Sequence, residues 1–293
     1  MRRVVLSVPW SRLAGAVGLV AVSAALYMAT TDRLFAVDGR AIPIEGALYT
    51  GEAAVRAAMG LPEDRMVNIF RIATGDLEAR IEALPAVRDA AVVATLPGTV
   101  TVLVEERQPM LVWRSGGVAW LVDRDGRLFA PAEVLDPATL GSGATGTSLP
   151  AVDDRRTGER IGLGAWVPAL DLDVVRLLLG VTPEMLSSTA PALFLHMDDT
   201  EGYVLEAPGS WQAVFGPYTP VLRPPSIIPR QVQCLDALLA GREAGVESVV
   251  LALSDEACGT FRARPTPRPT PRGGRDGNGN GGRRDGAGGT PRP

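Results

Sequence analysis

Glu105, Glu106 and Arg107 close the stretch "ALPAVRDAAVVATLPGTVTVLVEERQP", residues 83–109. Two carboxylates beside a guanidinium could do acid–base chemistry. Paired-carboxylate catalysis, however, needs both groups to flank one bond. Neighbours on a strand send their side chains to opposite faces, so Glu105 and Glu106 cannot share a substrate. The cluster therefore reads as scaffold. Glu106 falls on the valine face where the strand leaves the core, and Arg107 is expected to pair with it or with a neighbour.

Other constellations fail on chemistry as well. His196 is the single histidine and precedes Asp198 and Asp199, but no nucleophile or third ligand accompanies it. Asp123-Arg124-Asp125-Gly126 begins like a calcium loop and lacks the distal oxygen ligands, so a hairpin turn between "AWLV" and "RLFA" is expected. Residues 141–146, "GSGATG", match a dinucleotide fingerprint in letters only, because Thr147-Ser148-Leu149-Pro150 follows instead of a helix. "DDRR", Asp153 to Arg156, reads as a solvated loop. All 29 basic residues are arginine, which excludes Walker A, Schiff-base and Ser-x-x-Lys chemistry. No catalytic, cofactor-binding or metal-binding residue is expected, and the chain does not read as an enzyme.

Its 293 residues are 46% hydrophobic, enough for two modest cores. The net charge of −4 is uneven. From Arg262 onward there are eight arginines and two aspartates, or +6; the 21 basic and 31 acidic residues upstream give −10. An acidic body with a basic tail argues against nucleic acid as a partner. Cys234 and Cys258 are too few for a disulfide scaffold, and the sequence leaves open whether they pair.

Residues 13–31 hold no charge, and at ~1.5 Å per residue a helix there spans about 28 Å, close to a bilayer's hydrocarbon core. Arg2, Arg3 and Arg12 precede it, which puts residues 1–12 in the cytoplasm and the bulk of the chain outside. A cleaved signal peptide, with Ala21 and Ser23 near the cut, is the competing reading, and the apolar run is long for one. A short strand with Ile42, Ile44 and Leu48 is expected next. Thr50 is placed to cap a helix over Gly51–Met59, and Thr74 to cap one carrying Leu77, Ile81 and Leu84 on one face. Strands over 87–95 and 99–105 follow, joined by Leu96-Pro97-Gly98-Thr99, which suits a type II turn. From Pro109 the texture is strand-rich, interrupted by helices in "WVPALDLDVVRLLLG" and "PRQVQCLDALLA", and it ends on a strand over 247–254. The Gly/Pro/Arg-rich remainder cannot bury a core and is expected to be disordered.

Several of these motifs together resemble the FtsQ/DivIB family of bacterial cell-division proteins. The family's L-P-x-V-x-x-A-x-V strand is met by Leu84-Pro85, Val87, Ala90 and Val92, and its L-P-x-T turn by Leu96-Pro97 and Thr99. Glu106-Arg107 and Pro109 match its E-R-x-P; Val122-Asp123, Gly126 and Phe129 match its V-D-x-x-G-x-x-F hairpin. The resemblance covers residues 1 to about 261. Arg230 stands where the family usually has lysine, "VVLALS" lacks the family's aspartate and arginine, and the tail is an addition.

The resemblance implies an α+β protein: a cytoplasmic tail (1–12), a transmembrane helix (13–31), a β-α-α-β-β POTRA domain (34–107), a mixed-sheet β domain with packed helices (108–261) and a disordered tail (262–293). It implies a non-enzymatic divisome scaffold, single-pass in the cell membrane at the septum. Such a scaffold binds FtsB/DivIC-type and FtsL-type partners, meets lipid through one span, and helps control the septal cell-wall synthase and hence septal peptidoglycan. Ser248, Val249, Val250, Leu251, Ala252 and Leu253 are the expected partner-binding residues. They form the terminal strand, expected at a sheet edge where an added partner strand can pair. A POTRA-bearing secretion or assembly factor would need several POTRA repeats or barrel strands, and an extracytoplasmic hydrolase would need a triad.

Overall fold

The computed structural model describes residues 10–31, 33–62, 64–134, 149–158, 161–251 and 257–265. "GSGATG" and nearly all of the tail lie outside these residues, and so do Ala252 and Leu253. The first element, α1 (Trp10–Thr31), is 22 residues long. Side chains are described on it at Trp10 and over 14–28, all exposed. Among the described residues no helix is long and apolar enough to cross a membrane.

Two short strands follow, β1 (Ala36–Val37) and β2 (Ile44–Glu45), then α2 (Glu52–Met59). The chain continues through β3 (Val67–Asn68), α3 (Thr74–Glu82), β4 (Val87–Thr95) and β5 (Thr99–Glu106). β1 and β3 form a small antiparallel ribbon, an addition to the expected β-α-α-β-β order. The main sheet runs β2-β5-β4, with β2 parallel and β4 antiparallel to β5. Alternation along β5 buries Val100, Val102 and Val104 against Val55 and Met59 of α2 and Leu77 and Ile81 of α3. Leu48, expected as an apolar strand position, is exposed. The Leu96–Pro97 bond in the β4–β5 turn is cis.

Only Arg107 and Gln108 separate β5 from the second sheet. That sheet begins with β6 (Pro109–Ser115), β7 (Val118–Asp123), β8 (Leu128–Pro131) and β9 (Ala151–Asp154). After α4 (Ala169–Leu179) come β10 (Phe194–Asp198), β11 (Gly202–Ala207) and β12 (Trp211–Gly216). Then follow α5 (Ile228–Leu239), β13 (Val246–Leu251) and β14 (Gly259–Ala263). Spatially the order is β14-β13-β12-β11-β10-β9-β6-β7-β8. The β6/β9, β9/β10 and β12/β13 pairs are parallel, and the other neighbours are antiparallel.

Both helices pack on one face. Leu172, Val175 and Leu178 of α4, at helical spacing, meet Val232, Leu235 and Leu239 of α5 and the inward residues Trp113, Met197, Leu205 and Phe215. A smaller cluster of Ala86, Val112, Leu121, Phe129 and Ala130 joins the two sheets. Both belong to one compact unit that reaches Ala263.

Candidate partner-binding surface

The carboxylates that open the chemical question separate as strand geometry requires. Glu105 is exposed and lies 3.6 Å from Arg88 of β4. Glu106 is buried, and its carboxylate accepts three successive backbone N–H groups: Leu48 (2.8 Å), Tyr49 (2.7 Å) and Thr50 (2.7 Å). These donors come from a loop that Gly46 can start only because it lacks a Cβ. At φ +88° a Cβ there would sit 2.0 Å from the Val104 carbonyl oxygen. Thr50 contributes its N–H to Glu106 and does not cap α2; Gly51 occupies that position without a side-chain bond. Thr74 is likewise inside α3, with Ala73 at the cap.

Arg107 turns the other way and ties the two layers together. Its guanidinium donates to Asp123 of β7 at 2.7 Å and to the Pro85 carbonyl at 3.2 Å. The other Asp123 oxygen accepts the N–H groups of Asp125 and Arg127, each at 2.9 Å. The "DRDG" segment is thus the β7–β8 hairpin turn, and its first aspartate is a joint between layers. Tyr49, beside the Glu106 loop, packs edge-on against Phe129 of β8 with ring centroids 5.5 Å apart. Burial, with Glu106 close by, raises the Tyr49 phenol's pKa, so it stays neutral.

His196 is buried in β10, and its Nδ1 lies 3.8 Å from a Glu206 oxygen with no hydrogen-bond partner among the described residues. Burial and then Arg155 hold its pKa below the usual imidazole value. The neighbouring aspartates are engaged elsewhere. Asp198 accepts the Thr200 and Glu201 N–H groups, and Asp199 accepts the N–H and hydroxyl of Thr157. "DDRR" is less loop-like than expected, since Asp153 and Asp154 end β9. Arg156 bridges Asp154 and Asp171 at 2.9 Å each, and Asp171 also accepts the Tyr203 hydroxyl. Among the described residues no group of three metal-type side chains converges.

The sheet edge requires a correction. Ser248, Val249, Val250 and Leu251 lie in β13, but β13 is not terminal. It is parallel to β12 on one side and antiparallel to β14 on the other, with Val249 opposite Phe261 and Val250 opposite Thr260. β14 lies outside β13, so the edge on this side of the sheet belongs to β14, and β8 forms the edge at the other side. Thr260, Phe261 and Arg262 are therefore edge residues, and the folded body extends past residue 261. Arg262 and Arg264 give this segment the composition of the tail; Thr260-Phe261 is the strand signal within it.

β14 is held in an unusual way. Thr260, Phe261, Arg262 and Ala263 are all exposed, and Gly259 is half-buried. The Arg242 guanidinium sits 5.8 Å from the Phe261 ring centroid. Cys258, next to the strand, is disulfide-bonded to Cys234, which is buried on α5. Arg230 is exposed in the first turn of the same helix.

An αβ layer, joined through Arg107 and Asp123 to a nine-stranded mixed sheet, defines a two-layer α+β protein. Residues 39–107 match the family model described as POTRA domain, FtsQ-type. A cell division protein FtsQ of Jannaschia is 30% identical over 218 residues, 69% of this chain and 68% of that protein. The FtsQ of Caulobacter vibrioides is 34% identical over 134 residues, 42% of this chain, and the match spans 44% of that protein. The FtsQ of Chloroflexus aggregans is 46% identical over 54 residues, 18% of this chain and 20% of that protein. The chain belongs to the FtsQ family of cell-division proteins.

Proposed function

We propose that this protein is a non-enzymatic scaffold of the division septum. It is anchored by one span over residues 13–31 and holds FtsB/DivIC-type and FtsL-type partners by strand addition to its nine-stranded sheet. The observation that carries the reading is the unpaired outer edge of β14 on a protein of this family. An edge row of N–H and C=O groups pairs with an extended segment whatever its side chains, so the departures at "VVLALS" do not count against it. By holding these partners the scaffold helps control the septal cell-wall synthase. The span is supported by the uncharged run over residues 13–31 and by the arginines that precede it.

The test uses a fluorescent fusion to the N-terminus in dividing cells, together with pull-down of the FtsB/DivIC-type partner. The fusion is expected to gather at mid-cell and to sediment with membranes. Proline is placed singly at Thr260, Phe261 and Arg262; where the N–H points away from β13 it removes an edge donor and leaves the ladder intact. At least one such variant should keep its melting transition and lose the partner. Undiminished binding by every folded variant would rule out the edge.

A further inference from the structure

We propose that β14 is a detachable cap on β13, latched by the Cys234–Cys258 disulfide, and that reducing this bond exposes the β13 edge to an extended peptide segment. The inference rests on the reading above that strand addition is how the sheet is used, and it adds a second edge, that of β13, which β14 covers while the disulfide holds.

The strand's own packing is too slight to hold it. Four of its five residues are exposed, and none is buried. Ordering five residues costs conformational entropy that backbone pairing alone, made in competition with water, does not offset. Its side chains add one cation–π contact, Arg242 on Phe261. By contrast β13 is anchored by buried Val246, Val249 and Leu251 and by its parallel pairing with β12. The disulfide joins the residue just before β14 to the buried face of α5, 24 residues earlier in the chain. It confines the strand near its partner and lowers the entropy lost when the pair forms.

Opening the latch requires a dithiol reductant. One of its thiolates attacks the sulfur of Cys258, the less buried of the two residues. A mixed disulfide forms, and the Cys234 thiolate leaves and takes up a proton. The reductant's second thiolate then attacks its own sulfur in the mixed disulfide and releases Cys258, which is protonated in turn. Two electrons and two protons pass to the protein, and the dithiol ends as a disulfide. β14, freed at its Cys258 end, departs and uncovers backbone groups of β13 between Val246 and Leu251.

Hydrogen exchange on the full chain tests this, comparing the oxidised protein, the protein with excess dithiothreitol, and Cys258→Ser. Amides of β13 should exchange at least about tenfold faster in the last two, while those of β11 and β12 keep their protection. A labelled peptide of residues 257–264 carrying Cys258→Ser should bind the reduced chain and not the oxidised one. Unchanged β13 exchange on reduction overturns the proposal. So does loss of protection throughout β10–β12, which would make the bond a staple of the whole fold. Neither readout involves a division partner, so a chain that opens as described yet recruits none would leave the latch standing and remove the scaffold reading.

Discussion

The Glu106 carboxylate is buried and receives three backbone N–H groups. Glu106→Ala leaves those donors without an acceptor, at about 1–3 kcal/mol for the first and less for any that re-pair. The urea midpoint should fall accordingly. Glu106→Gln keeps one acceptor oxygen and should fall between that variant and the parent. Glu243 provides a pH test. Burial raises its pKa, but the Ser188 hydroxyl, the Thr189 N–H, the Trp211 indole and the Thr189 hydroxyl outweigh burial and hold it at about 2. The folded value lies below the unfolded one, so the stabilisation is complete above the ordinary glutamate range and is lost as pH falls toward 2. The Tm difference between the parent and Glu243→Gln should be constant above about pH 5 and should shrink as the pH is lowered further.

β13 and β14 respond to the same substitution in opposite ways. Val249→Pro cuts the ladder of an interior strand and leaves a partner carbonyl unpaired, so the Tm should drop by an amount matching about 1–3 kcal/mol. A proline on the outward side of β14 should leave the melting transition in place. Calorimetry on matched variants separates the two. Much of this arrangement was legible in the sequence. β4 and β5 are expected over 87–95 and 99–105 and occur at 87–95 and 99–106, because alternating Val and Ala between proline breaks leave no other period. The scaffold reading of Glu105 and Glu106 followed from strand geometry in the same way. What escaped the sequence depended on long-range placement. β1 and β3 are two residues each, too short to show a period. The loop at 48–50 is fixed by a carboxylate 56 to 58 residues away, and no local signal names that acceptor. β14 contains Arg262 and is followed by Arg264, so its composition is close to that of the tail. The Cys234–Cys258 pairing, too, is visible only once α5 and β14 are side by side.

Across the molecule, the two layers meet through Arg107 and Asp123, whose side chains are largely buried. Removing one member of a buried pair leaves the other charge unsolvated, at about 3–5 kcal/mol. Arg107→Ala should therefore lower the unfolding midpoint, and it should split a single transition into two as the POTRA layer and the nine-stranded sheet lose their coupling. Differential scanning calorimetry would show the split; one unshifted peak would deny the joint its role. The same layout also decides how the protein carries mechanical load. β2 and β5 run parallel, with the chain entering at one end and leaving toward the second sheet at the other. Tension between Arg33 and Arg107 loads their hydrogen bonds sideways, along with the three on Glu106, so that the bonds share the force. Tension drawn from beyond Ala263 meets the antiparallel β13–β14 pair at its open end, where Ala263 faces Val246, and parts it one bond at a time. Pulled from both ends, the protein yields first at its last strand, down to the disulfide at Cys258, while the POTRA layer stays whole.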